Sequence, residues 1–225
     1  MLADFFNEYG SMLGEGTLMT LYMTLMSTLF AYILGIPMGI ILVVTAPNGL
    51  KPMTVVYKVM DFIVNIVRSI PFLILLIMVI PLTKLIVGKS YGPTATIVPL
   101  VLCAAPFIAR MVESSLLEVD RGVIEAAQSM GASNWTIIWK VMMKEARTSL
   151  IVGCTIAMGT ILGYSAMAGT VGGGGLGDIA IRYGYYRYET VVMLVTVVLL
   201  IILVQIMQFI GMKLSKKLDK RNMRV

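Results

Sequence analysis

The sequence predicts an all-α integral membrane protein with five membrane-spanning helices and one long polar loop between the third and the fourth. Three observations carry that reading. First, 58% of the residues are hydrophobic and only 13% are charged, outside the range of ordinary soluble domains. Second, five apolar stretches each reach the roughly 20 residues needed to cross a hydrocarbon core about 30 Å thick. Third, the 18 Lys and Arg fall unevenly on the two sets of connections that alternate across those stretches.

The first run covers about 17–44 and holds Gly35-Ile36-Pro37, which can bend a membrane helix where neighbouring groups satisfy the freed carbonyl. Asp4, Glu8 and Glu15 precede it without any Lys or Arg, the reverse of the basic start of a cleaved signal, so the run is expected to remain as a helix. Ala46-Pro47-Asn48-Gly49 then breaks the chain. The second run, about 55–80, includes Asp61, Asn65 and Arg68, and its apolar heart begins after Pro71. An ionisable group inside a span costs at least about 2.5–3.5 kcal/mol, so Arg68 must pair, line a wet cavity or reach the interface.

The third run, about 94–116, has Pro99 and Pro106 and exits through Arg110 and Glu113, which stand three apart and can pair on one helix face. The fourth, about 150–171, is rich in small residues such as Gly153, Gly159 and Gly163, which allow close helix contact. Gly172 to Gly177 formally fit a G-x-G-x-x-G pattern, but they follow a membrane span and no Lys-Ser or Lys-Thr comes after them. They read as a flexible external loop or gate hinge, not as a nucleotide site. Tyr183, Tyr185, Tyr186 and Tyr188 suit a membrane interface, the fifth run covers about 190–212, and the tail 213–225 is basic.

Lys51 and Lys58, five basic residues between Arg110 and Arg147, and six in the tail share one side. Lys84, Lys89, Arg182 and Arg187 share the other, so the first side is predicted to face the cytoplasm, with the N-terminus outside and the C-terminus inside. The whole chain, 1–225, then forms one transmembrane domain with a cytoplasmic loop at about 117–148.

Several function classes lose support. The absence of histidine removes the commonest metal ligand and general base. Cys103 and Cys154 lie in apolar runs and read as packing residues. The net charge of +6 is concentrated in the tail, as a membrane flank would have it, and does not point to nucleic acid. Glu113, Glu118, Asp120 and Glu125 lie near one surface without metal-ligand spacing, so neither a catalytic site nor a metal site is expected.

The polar loop has its own grammar. Asp120 can cap a short helix that ends at Gly131 in the left-handed conformation, and Ser133 can cap a second helix, 134–145. In that second helix Trp135 and Trp139 stand one turn apart beside Ile138 and Met142, which predicts a single apolar face. Two readings stay open: an elbow that docks into a protein groove, and an amphipathic helix lying on the membrane.

Glu125-Ala126-Ala127, followed by Gly131 and Ala132, resembles the EAA loop of ABC-importer permeases. Three further segments extend the likeness: Asn65-Ile66-Val67-Arg68-Ser69-Ile70-Pro71-Phe72, Ala104 to Glu113, and Gly163-Tyr164-Ser165-Ala166-Met167. Together they are similar to the permease subunits of methionine ABC importers. The resemblance implies a type I importer permease of the bacterial inner membrane that pairs as a homodimer. It implies two cytoplasmic ATPase subunits, which would bind the ATP and Mg, and an external binding protein that delivers the amino acid. Glu125, Ala126, Ala127, Gly131 and Ala132 would form the ATPase contact. Lys144 stands where the family commonly has proline, which lets the second loop helix continue.

For the pathway, Met167 beside Ser165 is expected either to plug a narrow opening or to pack against lipid, and Arg68 is a further candidate lining residue. Two other classes are open to test: a carrier that works without an ATPase, and a membrane-bound enzyme or scaffold.

Overall fold

The computed structural model describes residues 2–218, with the backbone alone at 2–4 and 6, so Lys220, Arg221 and Arg224 of the basic tail lie outside the described residues. The described residues contain helices and connections and no strand. α1 (Leu2–Thr45) starts well ahead of the apolar run expected at 17–44. Thr17, Thr20, Thr24 and Thr28 each donate to the carbonyl four residues back at 2.7–2.9 Å, so these four hydroxyls are satisfied within the helix, whereas the buried Ser27 Oγ has no hydrogen-bond partner among the described residues.

The second run is two helices rather than one. α2 (Thr54–Ser69) stops just before Pro71, whose backbone is extended at φ −57°, ψ 134°, and α3 (Phe72–Met78) starts directly after it. Proline excludes the α conformation from the residue ahead of it and lacks an N–H of its own, so the helix ends there. α4 (Ile80–Val87) follows and closes on Gly88.

α5 (Pro93–Leu117) passes through Pro99 and Pro106 unbroken and is the most enclosed span, with 72% of its apolar stretch buried. α6 (Arg121–Ser129), α7 (Asn134–Thr136), a wide i→i+5 turn at Ile137–Met142 and α8 (Met143–Glu145) make up the loop. α9 (Arg147–Ala168), a 3₁₀ turn at Gly169–Val171, α10 (Gly175–Ile179), a second wide turn at Ala180–Tyr185 and α11 (Thr190–Leu218) complete the fold. By length and composition α1, α5, α9 and α11 can each cross a membrane, and α2 with α3, bent by 103° at the break, adds a fifth if the pair counts as one span.

The chain divides into two compact units. The first comprises Met1–Phe30, Ile70–Ala104 and Met158–Gln208. Its core joins Leu13, Leu162, Leu176, Ile179 and Val192, and Phe72 stacks on Tyr164 with ring centroids 4.7 Å apart. Here the glycine run departs from the expected flexible loop or hinge. Gly173, Gly175 and Gly177 are buried, the Leu176 N–H donates to Thr20 Oγ1 at 2.9 Å, and the Gly92 N–H donates to the Gly172 carbonyl at 2.9 Å. Missing side chains let the backbone fold tightly against its neighbours, and a sequence alone cannot separate that use of glycine from looseness.

The second unit comprises Ala31–Ser69, Ala105–Ala157 and Phe209–Val225. Leu42, Val64 and Ala109 form its core with Met38, Tyr57 and Met60. α1 meets α5 closely at Gly35 and Gly39, where a Cβ on Gly39 would stand 2.7 Å from both the Ala109 carbonyl oxygen and Val112 Cβ. Gly39→Leu should therefore push the helices apart and destabilise the chain by about 1–3 kcal/mol, the range for overpacking. Gly14→Ala meets nothing within 4 Å and serves as the neutral control. Thermal unfolding of both variants in detergent checks this.

Candidate functional site

The loop folds as a capped elbow. Asp120 Oδ1 accepts from the Gly122 N–H at 2.8 Å and starts α6. At the other end Gly131 adopts φ +77°, its N–H donates to the Gln128 carbonyl at 2.9 Å, and the Ala132 N–H donates to the Ala127 carbonyl at 3.1 Å. This paired closure satisfies the last carbonyls of the helix and turns the chain. Ser133 Oγ then accepts from the Thr136 N–H at 3.3 Å and opens the second helix.

The elbow presents only part of what its sequence suggested. Glu125 and Ala126 are exposed, Ala132 is half-buried, and Ala127 is buried against the rest of the chain at 5% exposure. Ala127 thus holds α6 in place, and the outward face belongs to Val123, Glu125, Ala126 and Met130. Glu125 also borders a groove of about 420 Å³ lined by Ala46 to Leu50, Arg121 and Gln128.

The second loop helix corrects the expected single apolar face. Ile137, Ile138 and Met142 are buried, whereas Trp135 is 71% and Trp139 41% exposed. The two indoles lean on one another, centroids 5.4 Å apart, and point away from the core. The wide turn from Ile137 to Met142, which includes Trp139, departs from α-helical register, and of the expected stripe Ile138 and Met142 are covered while the indoles are not. The helix runs through Lys144 to Glu145, as the absence of proline there predicts.

A polar cluster joins α2 and α5. The Arg110 guanidinium donates to Glu113 Oε2 at 2.7 Å, to Asn65 Oδ1 at 2.9 Å and to Asp61 Oδ1, and Asn65 Nδ2 donates to Asp61 Oδ2 at 3.2 Å. The three charged side chains keep 20% (Arg110), 33% (Asp61) and 12% (Glu113) of their surface. One cation and two carboxylates at a rim between apolar helices hold each other against the cost of leaving water. Sequence spacing foretells Arg110 with Glu113 but not Asp61 and Asn65, which lie 49 and 45 positions away. The available signal was that all four are polar residues within otherwise apolar runs.

Of the pathway candidates, Met167 is 49% exposed near the end of α9. Ser165 is turned inward, and its hydroxyl donates to the Leu162 carbonyl at 2.7 Å. Arg68 is exposed in the last turn of α2, where the helix dipole favours a cation.

Residues 31–220 match the family model described as the inner membrane component of binding-protein-dependent transport systems. The chain belongs to this family. It is therefore a multi-pass transport component of an inner membrane, and this family membership, rather than any missing catalytic group, makes it a non-enzymatic subunit. Among relatives, the probable D-methionine transport system permease protein MetI of Vibrio cholerae serotype O1 is 50% identical over 220 residues, 98% of each chain. The corresponding Haemophilus influenzae protein is 45% identical over 202 residues, 90% of this chain and 95% of the relative. In the inward-facing structure of the MetNI methionine ABC transporter, one chain superposes with a TM-score of 0.93 at 46% identity, covering 95% of this chain and 99% of that one. An amino acid ABC transporter at 18% identity and TM-score 0.72 shares the fold.

Proposed function

We propose that this chain is the transmembrane permease of an ATP-driven importer that carries methionine, in the L form, the D form or both, or a related amino acid. The observation that carries the reading is 50% identity along 98% of both chains with a permease whose name specifies D-methionine transport. The segments that raised the same resemblance also come together in space: Asn65 meets Arg110, and Phe72 stacks on Tyr164.

In this reading two copies enclose the pathway, an external binding protein delivers the substrate, and two cytoplasmic ATPases bind ATP with its Mg. The N-terminus faces outward and the C-terminus inward. α6 enters a groove on the ATPase with Glu125 and Ala126 outermost, Ala127 and Ala132 setting its seat and Gly131 its exit angle. ATP-driven closure then moves the elbow and, through it, the helices joined to it, α5 and α9, and the pathway alternates between the two sides. Met167 forms a constriction at the symmetry axis, Ser165 fixes the turn beneath it, and Arg68 lines the cytoplasmic mouth.

The test is co-purification with the cognate ATPase, followed by uptake of labelled L- and D-methionine into vesicles with and without ATP. A two-plus-two complex with ATP-dependent uptake is the expected result. Uptake by the chain alone would replace this reading with an autonomous carrier. Met167→Ala is expected to raise ATP hydrolysis uncoupled from uptake, and unchanged coupling would place Met167 in ordinary packing.

A further inference from the structure

We propose that the second loop helix and the end of α11 form one binding surface for anionic phospholipid headgroups, separate from the face of α6. Trp135 and Trp139 expose their rings side by side, and Lys140 and Lys144 are exposed on the same segment. A wide aromatic surface with an N–H to satisfy suits the headgroup layer, where one end of the ring meets hydrocarbon and the other meets water.

Position along the chain supports the same depth. The membrane-crossing stretch that includes α9 begins at Arg147. At a helical rise of 1.5 Å per residue Lys144 lies within about 5 Å and Trp139 within about 12 Å of that point. A second basic segment reaches the same end of α9, because Arg147 Nη2 donates to the Leu218 carbonyl at 2.6 Å and so holds the last described turn of α11 there. That turn carries Lys216 and Lys217, both exposed.

Among the described residues, the carboxylates nearest this surface in sequence line a groove of their own. Glu145 borders a groove of about 380 Å³ together with Glu118 and Asp120, and that groove is lined by neither tryptophan and by no lysine. Two indoles and four lysines, drawn from segments far apart in sequence, thus complement a leaflet that bears negative charge. Near such a leaflet each lysine strengthens attachment by roughly fivefold at low salt.

Trp135 and Trp139 are the only tryptophans of the chain, so their fluorescence reports this surface and nothing else. The full-length chain is placed in nanodiscs that mix phosphatidylcholine and phosphatidylglycerol, with bromine on the upper acyl carbons of one lipid at a time. Brominated phosphatidylglycerol is expected to quench more effectively than brominated phosphatidylcholine, with a preference on the order of tenfold. K140Q/K144Q should lower the preference, and in K140Q/K144Q/K216Q/K217Q, or for the unaltered chain in 1 M salt, where the Debye length is about 3 Å, it should approach one.

Absence of quenching by either lipid would overturn the proposal, because the rings would then face water. Equal quenching by both lipids would overturn it as well, since contact without selection is not a headgroup site. The third overturning result is protection of the tryptophans from lipid on addition of a tryptophan-free cognate ATPase. That outcome would assign the face to the ATPase and leave the importer reading intact. Loss of ATPase binding altogether would count against the importer reading and not against the lipid surface.

Discussion

Gly131→Pro is expected to abolish ATP-driven uptake while the chain still inserts in the membrane. Gly131 sits at φ +77°, a region closed to proline, whose ring fixes φ near −65°. The substitution also deletes the N–H that binds the Gln128 carbonyl at 2.9 Å. The paired closure of α6 must then be rebuilt, and the helix leaves the elbow at a different angle. No atom lies within 4 Å of a Cβ at this position, so the strain is conformational and not steric.

A graded series follows from that distinction. Gly131→Asn, which tolerates the left-handed region, should retain most uptake, and Gly131→Ala should lose about 1–2 kcal/mol of local stability. Gly131→Pro should be inactive. Uptake in vesicles, normalised to the amount of inserted protein, separates the three, and equal uptake in all of them would remove the elbow from the mechanism. Within the same proposal, Glu125→Lys should break ATPase binding with no change in helix content, because Glu125 is exposed at the outward face of α6.

The second large effect is expected at Arg110. Arg110→Ala leaves Asp61 and Glu113 without their cation, and both carboxylates are half-buried among apolar helices. Breaking a fully buried pair costs about 3–5 kcal/mol; the third of Asp61 that stays open to solvent lowers the expectation to about 2–3 kcal/mol. Arg110→Lys keeps the charge but gives up the fork that reaches Glu113, Asp61 and Asn65 together, so it should recover only part of the loss. Unfolding in detergent measures the difference. A double variant, Arg110→Met with Asp61→Asn, should be more stable than Arg110→Ala, since one stranded charge is removed and the packing volume is restored.

How far these features could be read from the sequence depends on the distance over which each is determined. Asp120, Gly131 and Ser133 were legible because a cap is decided within four or five residues, and all three stand in the structure as their residue types require. Arg110 with Glu113 was legible for the same reason. Arg110 with Asp61 was not, because no local pattern says which two apolar helices will lie together. Pro71 was visible as a change of character within the second run, but whether it bends or ends a helix depends on neighbours that can take up the freed carbonyls. Trp135 and Trp139 read with Ile138 and Met142 as one apolar face, because apolar residues at helical spacing mark a stripe without marking which of its members the fold covers. Ile137 and Ile138 won that competition. Ala127 and Ser165 show the complementary difficulty, since a small residue in a conspicuous motif serves packing as readily as contact.

The wide turn at Ile137–Met142 gives the loop a form of slack. It holds about one residue more per turn than the α-helical stretches on either side, and the structure places that surplus at Ile137–Met142. Moving it by a few positions exchanges i→i+5 for i→i+4 bonds one at a time. The residues passed over rotate about the local axis while both ends stay in place, like a wrinkle pushed along a carpet. Deleting Val141 would iron it out and freeze the segment in a single rotational setting.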